Sequence, residues 1–133
     1  MTKIISLYSD DFYKKKAEEL FIEGVELVSQ REYEESLKVF KEAEKFDDND
    51  PEIKFYIGAS YYILENFKSA EVYLRKAVDI DYRQEKYQRY LAINLFRQDK
   101  NEEAEKIFKE IINAEEKNLV ARYYLSQIET KRK

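Results

Sequence analysis

Residues 51–84, PEIKFYIGASYYILENFKSAEVYLRKAVDIDYRQ, read as two amphipathic helices with a break between them. In the first half Ile57, Gly58 and Tyr61 put a small residue and two apolar residues on one helical face, because residues three and four apart share a face. Leu64, Glu65 and Asn66 interrupt that pattern. It resumes as Phe67, Ala70, Leu74 and Ala77, recurring at three or four residues, the spacing of a second amphipathic helix. Just upstream, Asp47-Asp48-Asn49-Asp50-Pro51 stops one helix and starts the next. Asp50 is placed to cap, and Pro51 stands in the favoured first helical position. Antiparallel helices on a short loop approach closely only where one offers Gly or Ala to a bulky partner. A Gly58→Leu change is therefore expected to force the pair apart.

The unit repeats along the chain. Gly24, Gly58, Ala92 and Ser126 follow one another at steps of 34 residues. Ser36, Ala70 and Ala104 keep the same step, as do Phe40, Leu74 and Phe108, and Ala43, Ala77 and Ile111. Tyr33 and Phe67 continue it, and Asn101 breaks it. A period held by several independent columns decides the architecture, since units that cannot bury their faces alone stack into one continuous core. The expected organisation is an N-terminal tail (1–9), a first repeat with an extended first helix (10–50), a second repeat (51–84), a third (85–118) and a C-terminal capping helix (119–133), giving an all-α chain of about seven helices. Asn118, two periods beyond Asp50, is placed to cap the last helix. In that helix Tyr124 and Leu125 are expected to pack inward while Arg122, Glu129, Lys131 and Lys133 stay wet. Ile4, Ile5, Leu7 and Tyr8 in the tail either fold back over the first helix or fray.

Composition narrows the function. The chain has 133 residues, 44% apolar and 39% charged, enough apolar material for the core of one domain. Gly 2 and Pro 1 fall far below the usual shares of about 7% and 5%, which favours uninterrupted helix. Cysteine and histidine are both absent. Their loss removes disulfides, thiolate metal sites, the commonest general base and the most nucleophilic side chain at neutral pH. Paired carboxylates such as Glu18 and Glu26 would have to act without a nucleophile or metal shell, and such pairs on helices are usually solvated. No phosphate loop or nucleotide fingerprint occurs. The reading is a non-enzyme without metal or cofactor. Net charge is −4 with both signs interspersed, which gives no broad footprint for nucleic acid. No run approaches the roughly 18 apolar residues of a membrane span, and Met1 to Phe12 lacks the apolar stretch of a secretory signal. A cytoplasmic protein is expected.

These residues resemble the tetratricopeptide repeat. Its 34-residue unit carries a small residue and an aromatic on the first helix, then alanine, an aromatic or apolar residue and a second alanine on the second. Residues 51–84 match closely, 17–50 well and 85–118 moderately, and 119–133 look like a first helix alone. The usual tryptophan is replaced by Leu20, Lys54, Gln88 and Arg122. Glu23 stands where Ile57, Leu91 and Leu125 are apolar, although Tyr13, Ala17, Leu20, Gly24 and Leu27 still form a stripe. The resemblance implies a right-handed superhelix of antiparallel helix pairs packed at Gly24, Gly58, Ala92, Ala43, Ala70, Ala77 and Ala104.

The resemblance also implies that the first helices line a concave face that binds a segment of another protein. At the equivalent positions stand Phe21, Val25, Val28 and Ser29, then Phe55, Tyr56, Ala59, Tyr62 and Ile63. The third unit adds Lys86, Arg89, Tyr90, Ile93, Phe96 and Arg97, and the last helix Tyr123, Tyr124 and Gln127. Exposed aromatic clusters mark interaction sites, since monomers rarely tolerate large apolar patches. Each single aromatic, Tyr56, Tyr90 and Tyr124 above all, reads equally well as core between adjacent first helices. Lys86, Arg89 and Arg97 gather toward one end, with Glu18 as the nearest acidic counterpart; they suit a partner with an acidic portion, or they are ordinary solvated charges. One subset of the family grips the C-terminal carboxylate of heat-shock chaperones with Lys, Asn, Asn, Lys and Arg. The matching positions are Phe21, Val25, Tyr56, Lys86 and Tyr90, and only Lys86 is retained, which argues against that ligand. The expected function is a scaffold for an apolar or amphipathic segment of another protein. The alternatives are self-association with a second copy and, by fold-level analogy, a small chaperone of a secretion system.

Overall fold

A computed structural model describes residues 9–133; the tail positions Ile4, Ile5, Leu7 and Tyr8 lie outside the described residues. Among the described residues the chain forms seven helices and no strand: α1 (Asp10–Ser29), α2 (Tyr33–Phe46), α3 (Pro51–Ile63), α4 (Phe67–Ile80), α5 (Glu85–Arg97), α6 (Asn101–Ala114) and α7 (Leu119–Lys131). Connections this short hold neighbouring helices antiparallel. None of the described helices is long and apolar enough to cross a membrane.

Local chemistry sets the helix ends. The Asp50 carboxylate accepts the Glu52 amide at 2.8 Å with Pro51 beside it, and the Asn118 side chain accepts the Ala121 amide at 3.0 Å. Each supplies a partner to an amide that the helix itself cannot satisfy. The turns inside the pairs use another device. Arg31, Glu65 and Asp99 adopt positive φ of 62°, 62° and 61°. The residue after each one donates back into the helix, Glu32 to Leu27, Asn66 to Tyr61 and Lys100 to Leu95, all at 2.9 Å. This is the left-handed cap that glycine usually makes, built here without glycine.

Packing follows the repeat. Gly24 lies against Phe40 and Gly58 against Leu74, so α1 meets α2 and α3 meets α4 at close quarters. Ala43, Ala70, Ala77, Ala92 and Ala104 are wholly buried. The apolar interior forms two clusters: one joins Ala17, Phe40, Ala43, Ile53 and Ile57, and the other runs from Phe55 through Leu74, Leu91 and Phe108 to Ile128. Helix α3 contributes to both.

Two positions depart from the family pattern. At the place of the missing tryptophan in the second unit, Lys54 is buried and forms an ion pair with Glu44 of α2. On α3 and α5, Ile53, Ile57 and Ser60, then Tyr87, Leu91 and Asn94, are buried, and Asn94 donates to the Phe67 carbonyl of the preceding second helix. The same unit positions of α1 hold Glu19, Glu23 and Glu26, all exposed. Glu23 thus sits where no described helix packs, while Tyr13, Ala17, Leu20, Gly24 and Leu27 are buried or half-buried, with Tyr13 stacked on Phe46 at 6.1 Å. In α7, Ala121 and Ile128 are buried and Tyr124 and Leu125 half-buried. Arg122, Glu129, Lys131 and Lys133 are exposed.

Candidate peptide-binding groove

The first helices α3, α5 and α7 lie side by side, and a ladder of rings crosses from each unit to the next. Phe21 meets Tyr56 edge-on at 5.1 Å, and the same two unit positions recur as Phe55 and Tyr90 at 5.0 Å. Phe96 meets Tyr124 at 5.3 Å, and Tyr124 stacks flat on Phe108. Edge-to-face contacts at these separations are favourable, so the rings brace neighbouring first helices.

Burial sorts the residues that the sequence assigned to the inner face. Ile63 (45% exposed), Tyr123 (57%) and Arg97 are exposed. Phe21, Val25, Val28, Tyr56, Ala59, Tyr62, Lys86, Arg89, Tyr90 and Phe96 are half-buried. Phe55 and Ile93, expected on the inner surface, belong instead to the core, at 4% and 9% exposed. Phe55 is enclosed by Tyr87 at 5.2 Å, Tyr90, and the Lys86 ammonium 4.8 Å above its ring. A partner cannot reach it.

The charges also differ from expectation. Glu18 is not the nearest acidic counterpart of the basic groups. Lys86 pairs with Glu52 at 3.1 Å, Arg89 with Glu85 at 2.7 Å and Arg97 with Glu65 at 3.3 Å. Two of these cations also lie over rings, Arg89 over Tyr90 at 5.4 Å and Arg97 over Tyr62 at 5.8 Å, and one unit beyond Arg97 Lys131 lies over Phe96 at 4.6 Å. Such placements add attraction between the cation and the ring face. Beneath them the Tyr87 hydroxyl donates to Glu52. Burial, reinforced by that carboxylate, pushes its pKa well above the usual phenol value, so it remains a donor.

The sequence reading left out Val120 (38% exposed), which stands one unit beyond Lys86 on the same side of α7, and Ile22, which shares its unit position with Tyr56, Tyr90 and Tyr124. Stepping by 34 along those columns finds both.

No protein-family model and no curated protein matches the chain. Solved structures do match. The first tetratricopeptide domain of Spaghetti (RPAP3), bound to an HSP90 peptide, is similar with a TM-score of 0.84 at 24% identity, over 89% of this chain and 94% of that one. The Arabidopsis OM64 tetratricopeptide domain gives 0.84 at 18% identity over 90% and 98%. The Yersinia enterocolitica type III secretion chaperone SycD, in complex with a peptide of the translocator YopD, gives 0.80 at 17% identity over 96% and 99%. The chain therefore has the tetratricopeptide-repeat fold: three repeats and a C-terminal capping helix, wound into a superhelix.

Proposed function

We propose that this chain is a non-catalytic scaffold that binds an apolar or amphipathic segment of another protein on the inner face of its superhelix. The observation that carries the reading is the row Tyr62, Phe96 and Tyr123, together with Ile63, on the first helices. Ile63 and Tyr123 are exposed, and Tyr62 and Phe96, although packed against the core, keep part of their surface open. Tyrosine and phenylalanine give much contact area at small rotamer cost. Two of the similar structures hold peptides in their own domains, one from HSP90 and one from a translocator, and that supports the general role. A chaperone-type C-terminal carboxylate is a poor candidate. Of the five clamp positions, Phe21, Val25, Tyr56 and Tyr90 are not the donors that ligand needs, and the ammonium of Lys86 is already held by Glu52. The absence of cysteine suits the reducing cytoplasm.

The test is capture of the partner from the native source by the parent chain and by a Tyr62→Ser/Phe96→Ser variant. The variant is expected to keep its helical circular dichroism and lose the partner. Undiminished capture would remove the groove from the reading, and sedimentation over a concentration range separates partner binding from self-association.

A further inference from the structure

One column of the first helices carries the same side chain three times. Tyr56, Tyr90 and Tyr124 follow one another at steps of 34 on α3, α5 and α7, and all three are half-buried. Each ring is met edge-on by a phenylalanine of the preceding first helix: Phe21 at 5.1 Å, Phe55 at 5.0 Å and Phe96 at 5.3 Å. Other tyrosine hydroxyls are engaged within the chain, since Tyr62 accepts from Arg97 at 3.4 Å and Tyr87 donates to Glu52. Among the described residues the hydroxyls of Tyr56, Tyr90 and Tyr124 have no hydrogen-bond partner. They are not sealed off either, because the buried side-chain oxygens left without a partner are those of Asn94 and Asn101. Burial, reinforced by the phenols of Tyr62 and Tyr123, pushes the Tyr124 hydroxyl above its usual pKa, so it stays a donor.

We propose that Tyr56, Tyr90 and Tyr124 form a donor ladder for the main-chain carbonyls of a proline-rich segment of another protein, held in the polyproline II conformation with every third carbonyl on a rung. This rests on the groove reading above and specifies the backbone and composition of what the groove takes. A phenol brings one O–H donor to a site. Identical donors at a constant step match the feature of a peptide that recurs at a constant step whatever its sequence, which is the main-chain carbonyl. A helix satisfies its own carbonyls, so a helical segment has none to offer. Packed helices lie about 8–10 Å apart. Polyproline II has about three residues per turn and a rise of about 3.1 Å, so its carbonyls return to the same side every ~9 Å, with no internal hydrogen bond to compete. A β-strand has period two and turns the third carbonyl the other way. Proline suits the ladder because carbonyls are needed and N–H groups are not, because its ring presets φ, and because aromatic-lined grooves take such segments. Rings already braced by phenylalanines lose little freedom on binding. Ile22 occupies the column in the first unit, so the ladder has three rungs and starts at Tyr56.

The experiment selects binders of the full chain from a displayed library of random dodecapeptides. It then measures the affinity of synthetic copies by fluorescence anisotropy for the parent, for Tyr56→Phe and Tyr90→Phe singly, and for the triple variant Tyr56→Phe/Tyr90→Phe/Tyr124→Phe. These changes keep each ring and remove only its oxygen, and circular dichroism verifies that the variants fold. Selected peptides are expected to be rich in proline and to lack apolar residues at helical spacing. Each single change should weaken binding about threefold to tenfold, the scale of one hydrogen bond, and the triple change about a hundredfold. Peptides without proline enrichment, peptides with a helical apolar repeat, or undiminished binding by the phenylalanine variants overturns the ladder. If Tyr62→Ser/Phe96→Ser still abolishes binding of those peptides, the groove reading survives that failure. A library that yields no binder overturns both.

Discussion

A methyl group placed on Gly24 would lie 2.4 Å from Cε1 of Phe40, closer than carbon atoms can approach, and the Phe40 ring itself is wholly buried. The first helix pair is therefore set by the absence of a side chain on one helix and the presence of a ring on the other.

Gly24→Ala tests this directly. Alanine gains about 1 kcal/mol over glycine inside a helix, while forcing a packed core apart costs about 1–3 kcal/mol. A net loss of about 1 kcal/mol is expected from urea unfolding. Gly58→Ala should lose less, since its nearest neighbour, Cγ of Leu74, would be 2.8 Å away. Equal losses at the two sites would contradict the ring-clash account.

Lys54→Ala removes one member of the buried pair and leaves Glu44 in a largely buried place, its side chain 20% exposed. The expected loss is on the order of 3 kcal/mol. The double change Lys54→Met/Glu44→Leu, which removes both charges and keeps volume, should recover most of it. Thermal unfolding of the three proteins checks the order.

Arg31→Gly should stabilise the chain by about 0.5–1 kcal/mol, because glycine takes a left-handed turn without the strain an arginine bears there, and its greater freedom when unfolded cancels only part of that gain. A lower denaturation midpoint for the variant would show that the Arg31 turn is unstrained.

Glu71 ties α4 to the loop after α5, accepting Lys100 at 2.9 Å, Gln98 at 3.0 Å and Arg75 at 2.9 Å. Burial alone would raise its pKa, but these donors outweigh burial and hold it below the usual carboxylate value. A carboxylate depressed in the folded state contributes stability above its unfolded pKa and loses it as pH falls through the folded one. Melting temperature should therefore fall below about pH 4, and Glu71→Gln should flatten that acid limb while lowering the neutral plateau.

The period, the caps at Asp50 and Asn118 and the close approach at Gly58 were legible in the chain, because each depends on residue type at a fixed spacing. Burial at a single column was not. Phe55 and Tyr123 share one unit position, yet the first is enclosed by Lys86, Tyr87 and Tyr90 of the following helix, and the second has no described helix beyond it. What the next unit carries decides exposure, and a repeat column cannot say. The pairing of Lys86 with Glu52 and of Arg97 with Glu65 was hidden for a related reason: separations of 34 and 32 residues match no spacing within a single helix. Lys54 stood out only as a substitute for tryptophan, and nothing in the sequence pointed to Glu44 as its companion.

The three glutamates on the outward side of α1 decide what a shorter version of this molecule would do. A fragment beginning at Pro51 would keep the inner-face rings of three first helices, but Ile53 and Ile57, which α2 now covers, would be left bare. Such a piece would stick to its own kind, because Ile53 and Ile57 would stand where α1 carries the exposed Glu19, Glu23 and Glu26 in the preceding unit.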